Sequence, residues 1–381
     1  KILDKFEDIR PYQDHEIRPV LDKLITNPEF LSSIATFYFP RLTGLLPKLM
    51  RSAARNKLKK QLKAVHNVKS MQDVIAEYMD KMIHDTTTKL THSGLENLDE
   101  DKGYLFISNH RDITMDPAFV NYVLYHAGYE TLQIAVGDNL LKKPFVTDLM
   151  RLNKSFIVKR SLKGRELLRS LSLLSEYIHY CIKNKSNVWI AQREGRAKDG
   201  IDKTDPALLK MLAMTNRRLS LSDSLKDLHI VPVSISYEYD ACDVLKAEEL
   251  YTVENTGRFL KTDRSDIHSI VTGMIGFKGR VDVTFGKELQ INNDDPEEIA
   301  AEIDHQILEN YKLHDINFLA LERLRQDGFI FPNQLSGQIA KRNISNVSYN
   351  KFKKRFESIN PKLHKYFLFS YANPILTKHQ A

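Results

Sequence analysis

The sequence predicts an α/β fold: a central, mostly parallel sheet flanked by helices, with helical regions added at both ends. Three observations predict it. Short apolar runs recur after Gly94, helical segments separate several of them, and the stretches on either side carry helical spacing instead. The strand candidates are residues 104–108, 132–136, 155–158, 187–191, 230–237 and 280–285. This alternation divides the chain into an N-terminal helical region (1–90), an α/β domain (91–290) and a C-terminal helical region (291–381).

Size and composition agree with a folded protein. At 381 residues the chain exceeds a usual single core, and 42% apolar with 28% charged residues is ordinary for a globular protein. The net charge of +7 favours anionic partners without choosing among phosphate substrates, lipid and nucleic acid. Cys181 and Cys242 are too few and too isolated for a disulfide framework or a zinc site, so two buried thiols in a reducing compartment are expected, and no metal. No signal peptide is visible at the start, and no run of about 18 apolar residues predicts a spanning helix.

Residues 1–29 read as short helical pieces broken at Pro11, Pro19 and Pro28. From Phe30 to Gln72 there is no Asp or Glu, while Arg41, Lys48, Arg51, Arg55, Lys57, Lys59, Lys60, Lys63 and Lys69 accumulate. The first half of this stretch is strongly apolar and interrupted by Pro40 and Pro47. Proline-broken helices edged with cations can lie in a bilayer interface, where each basic residue near anionic lipid contributes about 1 kcal/mol. A helical pair packed on the main domain with a solvated basic face fits equally well. The aromatics precede the basic run and do not interleave with it, which disfavours nucleic acid.

Residues 70–90 resume a helical pattern. Further on, helices are expected at residues 165–183 and 297–311. The Lys-, Phe- and Tyr-rich segment 341–365 reads as a helical tail, with surface solvation as its default role and membrane or core contact as the lesser one.

The chemistry is expected in loops that follow the strands. After the strand at 104–108 comes Asn109-His110-Arg111-Asp112, then Asp116-Pro117 at a helix start. An imidazole at the carboxyl end of a strand, held by a carboxylate, is a general base for a hydroxyl. Asp112 and Asp116 are both close enough in sequence to hold it. The strand at 187–191 leads into a glycine turn dense in cations, with Arg193, Glu194, Gly195, Arg196 and Lys198, suited to a phosphate gripped by guanidinium forks. Lys159 and Arg160 end another strand. Such loops converge on one crevice in an α/β sheet. There is no G-x-S-x-G elbow, phosphate-binding G-x-x-x-x-G-K-[ST] loop, G-x-G-x-x-G fingerprint or H-E-x-x-H motif, so the enzyme classes that depend on them are poorly supported.

Over about residues 92–240 the sequence resembles the glycerolipid acyltransferases built on an H-x4-D motif, which acylate glycerol-3-phosphate or lysophosphatidate. FISNHRDITMDP, IAVGDNLLKKPF, SFIVKRSLKG, EGRAKDG and HIVPVSISYE carry the resemblance, in that order. SFIVKRSLKG and the ISYE ending lie closer to the glycerol-3-phosphate branch than to the lysophosphatidate branch. The resemblance implies an acyl thioester donor, on CoA or acyl carrier protein, a glycerol-3-phosphate or lysophospholipid acceptor, and no cofactor. It implies His110 as base, Asp116 as its orienting carboxylate, Lys159 and Arg160 on the acceptor phosphate, Glu194, Gly195 and Arg196 in a second acceptor loop, and Pro232 near the acyl donor. Peripheral attachment to the cytoplasmic face of an anionic membrane is expected.

Two departures stand out. Five residues, Arg111 to Met115, separate His110 from Asp116 where the family has four, and Glu194-Gly195-Arg196 is one residue shorter than Glu-Gly-x-Arg. Asp112 is therefore the alternative orienting residue. A non-catalytic, peripheral lipid-binding protein that keeps the fold is the remaining alternative.

Overall fold

A computed structural model describes residues 2–39, 42–216 and 218–380. Pro40 and Arg41 of the basic stretch lie outside the described residues. Among the described residues there are seven strands: β1 (Thr87–Ser93), β2 (Leu105–Ser108), β3 (Gln133–Gly137), β4 (Ser155–Val158), β5 (Val188–Ala191), β6 (Ile230–Tyr237) and β7 (Gly279–Phe285). Helices connect and flank them, so the α/β class and the helical regions at both ends hold. Packing groups the chain into two compact units that cut across the three consecutive regions expected from sequence. The first comprises residues 1–81 and 131–177, and the second residues 82–130 and 178–381.

In the first unit β3 and β4 pair in parallel, Ile134 opposite Ser155, with the helix Pro144–Leu152 between them. Phe145 and Leu152 from that helix pack with Ile17, Leu21, Phe30 and Leu58 from N-terminal helices. Asn27 caps the helix Pro28–Tyr38 by accepting from the Phe30 N–H, and Pro28 sits in its first turn, where a missing N–H costs nothing. The helix Pro47–Gln61 follows. Pro19 does not break the chain as expected; it lies inside the helix Asp14–Leu24, whose face with Ile17, Leu21 and Leu24 is buried. That burial outweighs the local proline cost of about 3 kcal/mol.

In the second unit the strands run in the order β1, β7, β6, β2, β5. β2 pairs in parallel with β5 and β6, β1 with β7, and β6 with β7 antiparallel. All eight residues of β6 are buried, the pattern of a strand covered on both faces. β1 is a strand where a helix was expected to run on through residue 90. The helix ends at Thr86, and the next residues, TTKLTHS, include three β-branched threonines and are exposed or half-buried, which suits a sheet position better than helix continuation.

The C-terminal segment also departs from its expected surface role. Phe352, Phe356, Phe367, Leu368 and Tyr371, on the helices Asn346–Glu357 and His364–Gln380, are buried in a cluster with Ile316, Leu321 and Leu324. Its phenylalanines are core, while Tyr349 and the lysines form the solvated side of the same helices.

Candidate active site

β2 and β5 lie side by side and parallel, so the loops leaving their carboxyl ends start together. Backbone contacts knit those loops: the Ala197 N–H donates to the His110 carbonyl at 2.8 Å. Arg111 is buried and reaches across with two parallel bonds to Asp202, Nε to Oδ1 at 2.9 Å and Nη2 to Oδ2 at 2.6 Å. Its Nη2 also donates to the Gly200 carbonyl at 3.1 Å, and its guanidinium faces the Tyr311 ring. Asn109 fastens the loop to β6, donating to the Ile235 carbonyl and accepting from the Ile235 N–H. Arg111 and Asn109 therefore frame the site, leaving His110 between them as the side chain with access.

His110 Nδ1 lies 2.8 Å from Asp116 Oδ2. The same oxygen accepts from the backbone N–H groups of Arg111 at 2.6 Å and Asp112 at 3.0 Å, and Oδ1 accepts from the Tyr237 hydroxyl at 2.7 Å. Asp116 is fully buried in the first turn of the helix Met115–His126, where the helix dipole favours a negative charge. Both its oxygens accept only donors, which is the arrangement an ionised carboxylate needs. The bond from Nδ1–H to a carboxylate leaves the lone pair on Nε2, the tautomer a base requires. The Trp189 ring meets the imidazole edge-on at 5.8 Å between centroids.

Asp112 has different partners. Its Oδ1 accepts from the Thr114 and Met115 N–H groups, so it closes the turn that starts the helix. Burial, with Asp116 close by, pushes its carboxyl above the usual carboxylate range. Gly273, on the helix Asp263–Ile275, backs onto that carboxylate, and an added Cβ there would overlap it.

The glycine turn after β5 is also in this unit. Gly195 adopts φ 77°, a left-handed conformation that favours glycine, and turns the chain between Glu194, which is exposed, and Arg196. Arg196 Nη2 donates to Ser269 Oγ at 3.4 Å, and among the described residues its Nη1 is buried with no hydrogen-bond partner. A buried guanidinium N–H left unpaired is costly, and a bound anion would satisfy it. Lys198 pairs with Glu249 at 3.0 Å. Pro232 is buried in β6 opposite Ile107 of β2.

Lys159 and Arg160 lie in the first unit. Lys159 is 3.5 Å from Asp8, and the Arg160 backbone N–H donates to Asp138 Oδ1 at 3.1 Å. Several residues of the site went unmarked in the sequence. Tyr237 was only the last residue of the expected strand 230–237, Asp202 sat beyond the glycine turn, and Lys246, which donates to the Arg111 carbonyl at 2.5 Å and pairs with Asp240, carried no signal at all. Burial works against the charged form of Asp240, and Lys246 outweighs it, so its carboxyl titrates below the usual range. Both cysteines are buried, and burial followed by the nearby Asp240 pushes the Cys242 thiol up to about 12, which makes it an inert core residue.

The part of the chain that carries β2 to β5, most of β6 and the His110–Asp116 pair matches a family model: residues 89–236 match the model described as Acyltransferase. The matched residues make up less than half of the chain. The chain is similar to the glycerol-3-phosphate acyltransferases of Pseudoalteromonas atlantica (26% identity over 209 residues, 50% of this chain and 25% of the relative) and Pseudoalteromonas translucida (27% over 230 residues, 56% and 28%). The corresponding enzyme of Xanthomonas axonopodis pv. citri is 28% identical over 241 residues, 58% of this chain and 25% of the relative. The chain thus spans about a quarter of the length of the curated relatives it matches. Among solved structures it is similar to the 1-acyl-sn-glycerophosphate (LPA) acyltransferase PlsC from Thermotoga maritima, with 14% identity, a TM-score of 0.37, and coverage of 74% of this chain and 95% of that one. The H-x4-D spacing itself is not kept, since five residues separate His110 from Asp116.

Proposed function

We propose that the chain transfers a fatty acyl group from an acyl thioester, on CoA or acyl carrier protein, to a hydroxyl of glycerol-3-phosphate in phospholipid synthesis. The observation that carries this reading is His110 held through Nδ1 by a buried carboxylate, with Nε2 left to act. Nε2 takes the proton of the acceptor hydroxyl as its oxygen attacks the thioester carbonyl. The tetrahedral intermediate collapses with cleavage of the C–S bond, and the imidazolium returns its proton to the departing thiolate. A thiolate is already a good leaving group, so a base and positioning suffice and no covalent nucleophile is needed. Positioning two substrates contributes up to about 7–11 kcal/mol, and a base such as His110 about 10²–10⁴-fold.

The unpaired Nη1 of Arg196 supports a phosphate on the acceptor. Lys159 and Arg160 stay proposed phosphate ligands on the sequence resemblance alone, as do the placing of Glu194 and Lys198 in the acceptor loop and of Pro232 near the donor. The relatives' names favour glycerol-3-phosphate over lysophosphatidate as acceptor.

We further propose that the first unit touches an anionic membrane. Leu42, Leu45, Leu46 and Leu49, around the start of the helix Pro47–Gln61, are 46–77% exposed, with Lys48 exposed among them. Four neighbouring leucines in water beside a cation match an interfacial anchor better than a packed helical pair. No helix among the described residues is long and apolar enough to cross a membrane.

The test is thiol release from an acyl thioester on adding glycerol-3-phosphate or lysophosphatidate, for the wild type and His110→Ala. Release that depends on glycerol-3-phosphate and disappears in the variant is expected. Preference for lysophosphatidate would move the acceptor assignment, and no acceptor-dependent release with either would leave a lipid-binding protein without the chemistry.

A further inference from the structure

The helix Asp263–Ile275 has two faces of opposite character. Its inner face builds the site: Gly273 backs onto the Asp112 carboxylate, Ser269 Oγ meets Arg196, and the Ser269 carbonyl accepts from the Cys242 thiol. Its outer face carries Ile267, Val271 and Ile275 at successive four-residue steps, 43%, 40% and 59% exposed. This is one straight apolar stripe on a helix. Leu260 just before the helix and Phe277 just after it extend the stripe at both ends, 70% and 47% exposed. Nothing in core packing calls for these side chains to be outside, and a row of five spanning a helix is more than the scattered single apolar residues of an ordinary surface.

The rim of the stripe identifies its partner. Arg258, Lys261, Arg264 and Arg280 are exposed around it, and Lys351, from the helix Asn346–Glu357, lies over the Phe277 ring at 5.8 Å. The acids in the same segment are Asp263 and Asp266. A mainly cationic rim repels a second copy of the same face and attracts anionic headgroups, while the long stems of Arg and Lys let their charges stay at headgroup level as the apolar residues descend. The stripe is one helix wide, which suits the shallow insertion of an interfacial helix rather than a groove for a protein.

We propose that the Asp263–Ile275 helix docks its outer face on an anionic bilayer, so that one side of the helix contacts lipid while the other walls the His110 and Arg196 site. This surface belongs to the second unit, whereas the exposed leucines belong to the first. The inference draws on the acyltransferase reading for its purpose, since a site walled by a lipid-facing helix receives an acyl chain without carrying it through water. Docking itself is measurable without turnover.

Because Cys181 and Cys242 are buried, an environment-sensitive thiol dye can be directed to V271C, with L168C, on an exposed position of the helix Gly164–Lys183, as the reference. Phosphatidylcholine vesicles and vesicles that also contain phosphatidylglycerol are added at low and high salt. The dye at position 271 is expected to shift to the blue with the anionic vesicles alone, the shift shrinking in high salt, while the dye at position 168 stays unchanged. A double variant, I267S with I275S, should lower vesicle partition at least about tenfold, with unchanged turnover of glycerol-3-phosphate and a water-soluble short-chain thioester. No shift at position 271, an equal shift at position 168, a shift that follows protein concentration without vesicles, or unchanged partition of the double variant would each overturn the proposal. Absent turnover in every variant would sink the acyltransferase reading while leaving the docking result standing.

Discussion

Replacing Asp116 by Asn separates the two carboxylates that could orient His110. Three donors converge on Asp116 Oδ2, from His110 Nδ1 and the Arg111 and Asp112 N–H groups, so the amide oxygen of Asn must take that place. Its NH2 then faces the Tyr237 hydroxyl, which can rotate to accept. The geometry survives and the charge is lost. In the proposed reaction the hydroxyl proton moves to Nε2, and the imidazole becomes a cation next to what was a buried carboxylate. At an effective dielectric near 20, two unit charges about 4 Å apart interact by about 4 kcal/mol, equivalent to about a thousandfold in rate. Thiol release should therefore fall about 10²–10⁴-fold in kcat for Asp116→Asn, with little change in KM for either substrate. Asp112→Asn should stay within about fivefold of wild type, because its oxygen can still accept from Thr114 and Met115 and its carboxyl is already biased towards the neutral form. Turnover lost in Asp112→Asn and retained in Asp116→Asn, with both variants folded by circular dichroism, would refute the assignment.

Arg196→Ala should raise KM for the phosphate acceptor about tenfold or more with a smaller change in KM for the thioester, measured by initial rates at varied acceptor. If both constants rise together, Arg196 holds the loop and not the phosphate. Lys278 is buried among the Thr86 hydroxyl and the Met274 and Gly276 carbonyls, and burial pushes its ammonium down to about 8. A lysine whose folded value lies below its unfolded value binds fewer protons when folded, so its penalty of about 3 kcal/mol persists below pH 8 and is relieved as the pH rises from 8 towards the unfolded value near 10.5. Urea unfolding of wild type minus Lys278→Met should show that rise, and a flat difference would remove the lysine as its source. Leu45→Asp with Leu49→Asp should lower partition onto anionic vesicles about a hundredfold, since withdrawing each leucine from the interface costs at least about 1.5 kcal/mol. Unchanged co-sedimentation would return those leucines to ordinary surface.

Much of the fold was legible because strand runs such as IVPVSISY and SFIV are mainly apolar and bounded by polar loops, as strands covered on both faces tend to be. β1 was not, because TTKLTHS has no buried face of its own and becomes a strand through its pairing with β7, almost 200 residues away. The grouping of residues 131–177 with the N-terminal helices was equally hidden, for it depends on Phe145 and Leu152 meeting Ile17 and Phe30, a match of faces that no local pattern encodes. In the site, His110, Asp116 and Arg196 could be picked out because polar residues at a strand end have few structural reasons to be there. Tyr237, Asp202 and Gly273 could not, since each looks like an ordinary core, loop or helix residue until its partner is known.

The five-residue spacing shows how position in the sequence and position in space come apart. With Asp116 in the first turn of the helix, its side chain points back over the loop that precedes it. Two consecutive N–H groups of that loop, from Arg111 and Asp112, turn inward onto Oδ2 and make a small anion-binding nest around the carboxylate. The nest fixes Asp116 relative to the loop irrespective of how many residues lie between, and Tyr237 fixes its other oxygen from β6. One more residue in the turn therefore alters the path of Arg111 to Met115 without moving the carboxylate away from His110. What the proposed chemistry requires is a carboxylate at hydrogen-bonding distance from Nδ1, and in this chain a helix N-terminus, a nest and a tyrosine hold it there at 2.8 Å.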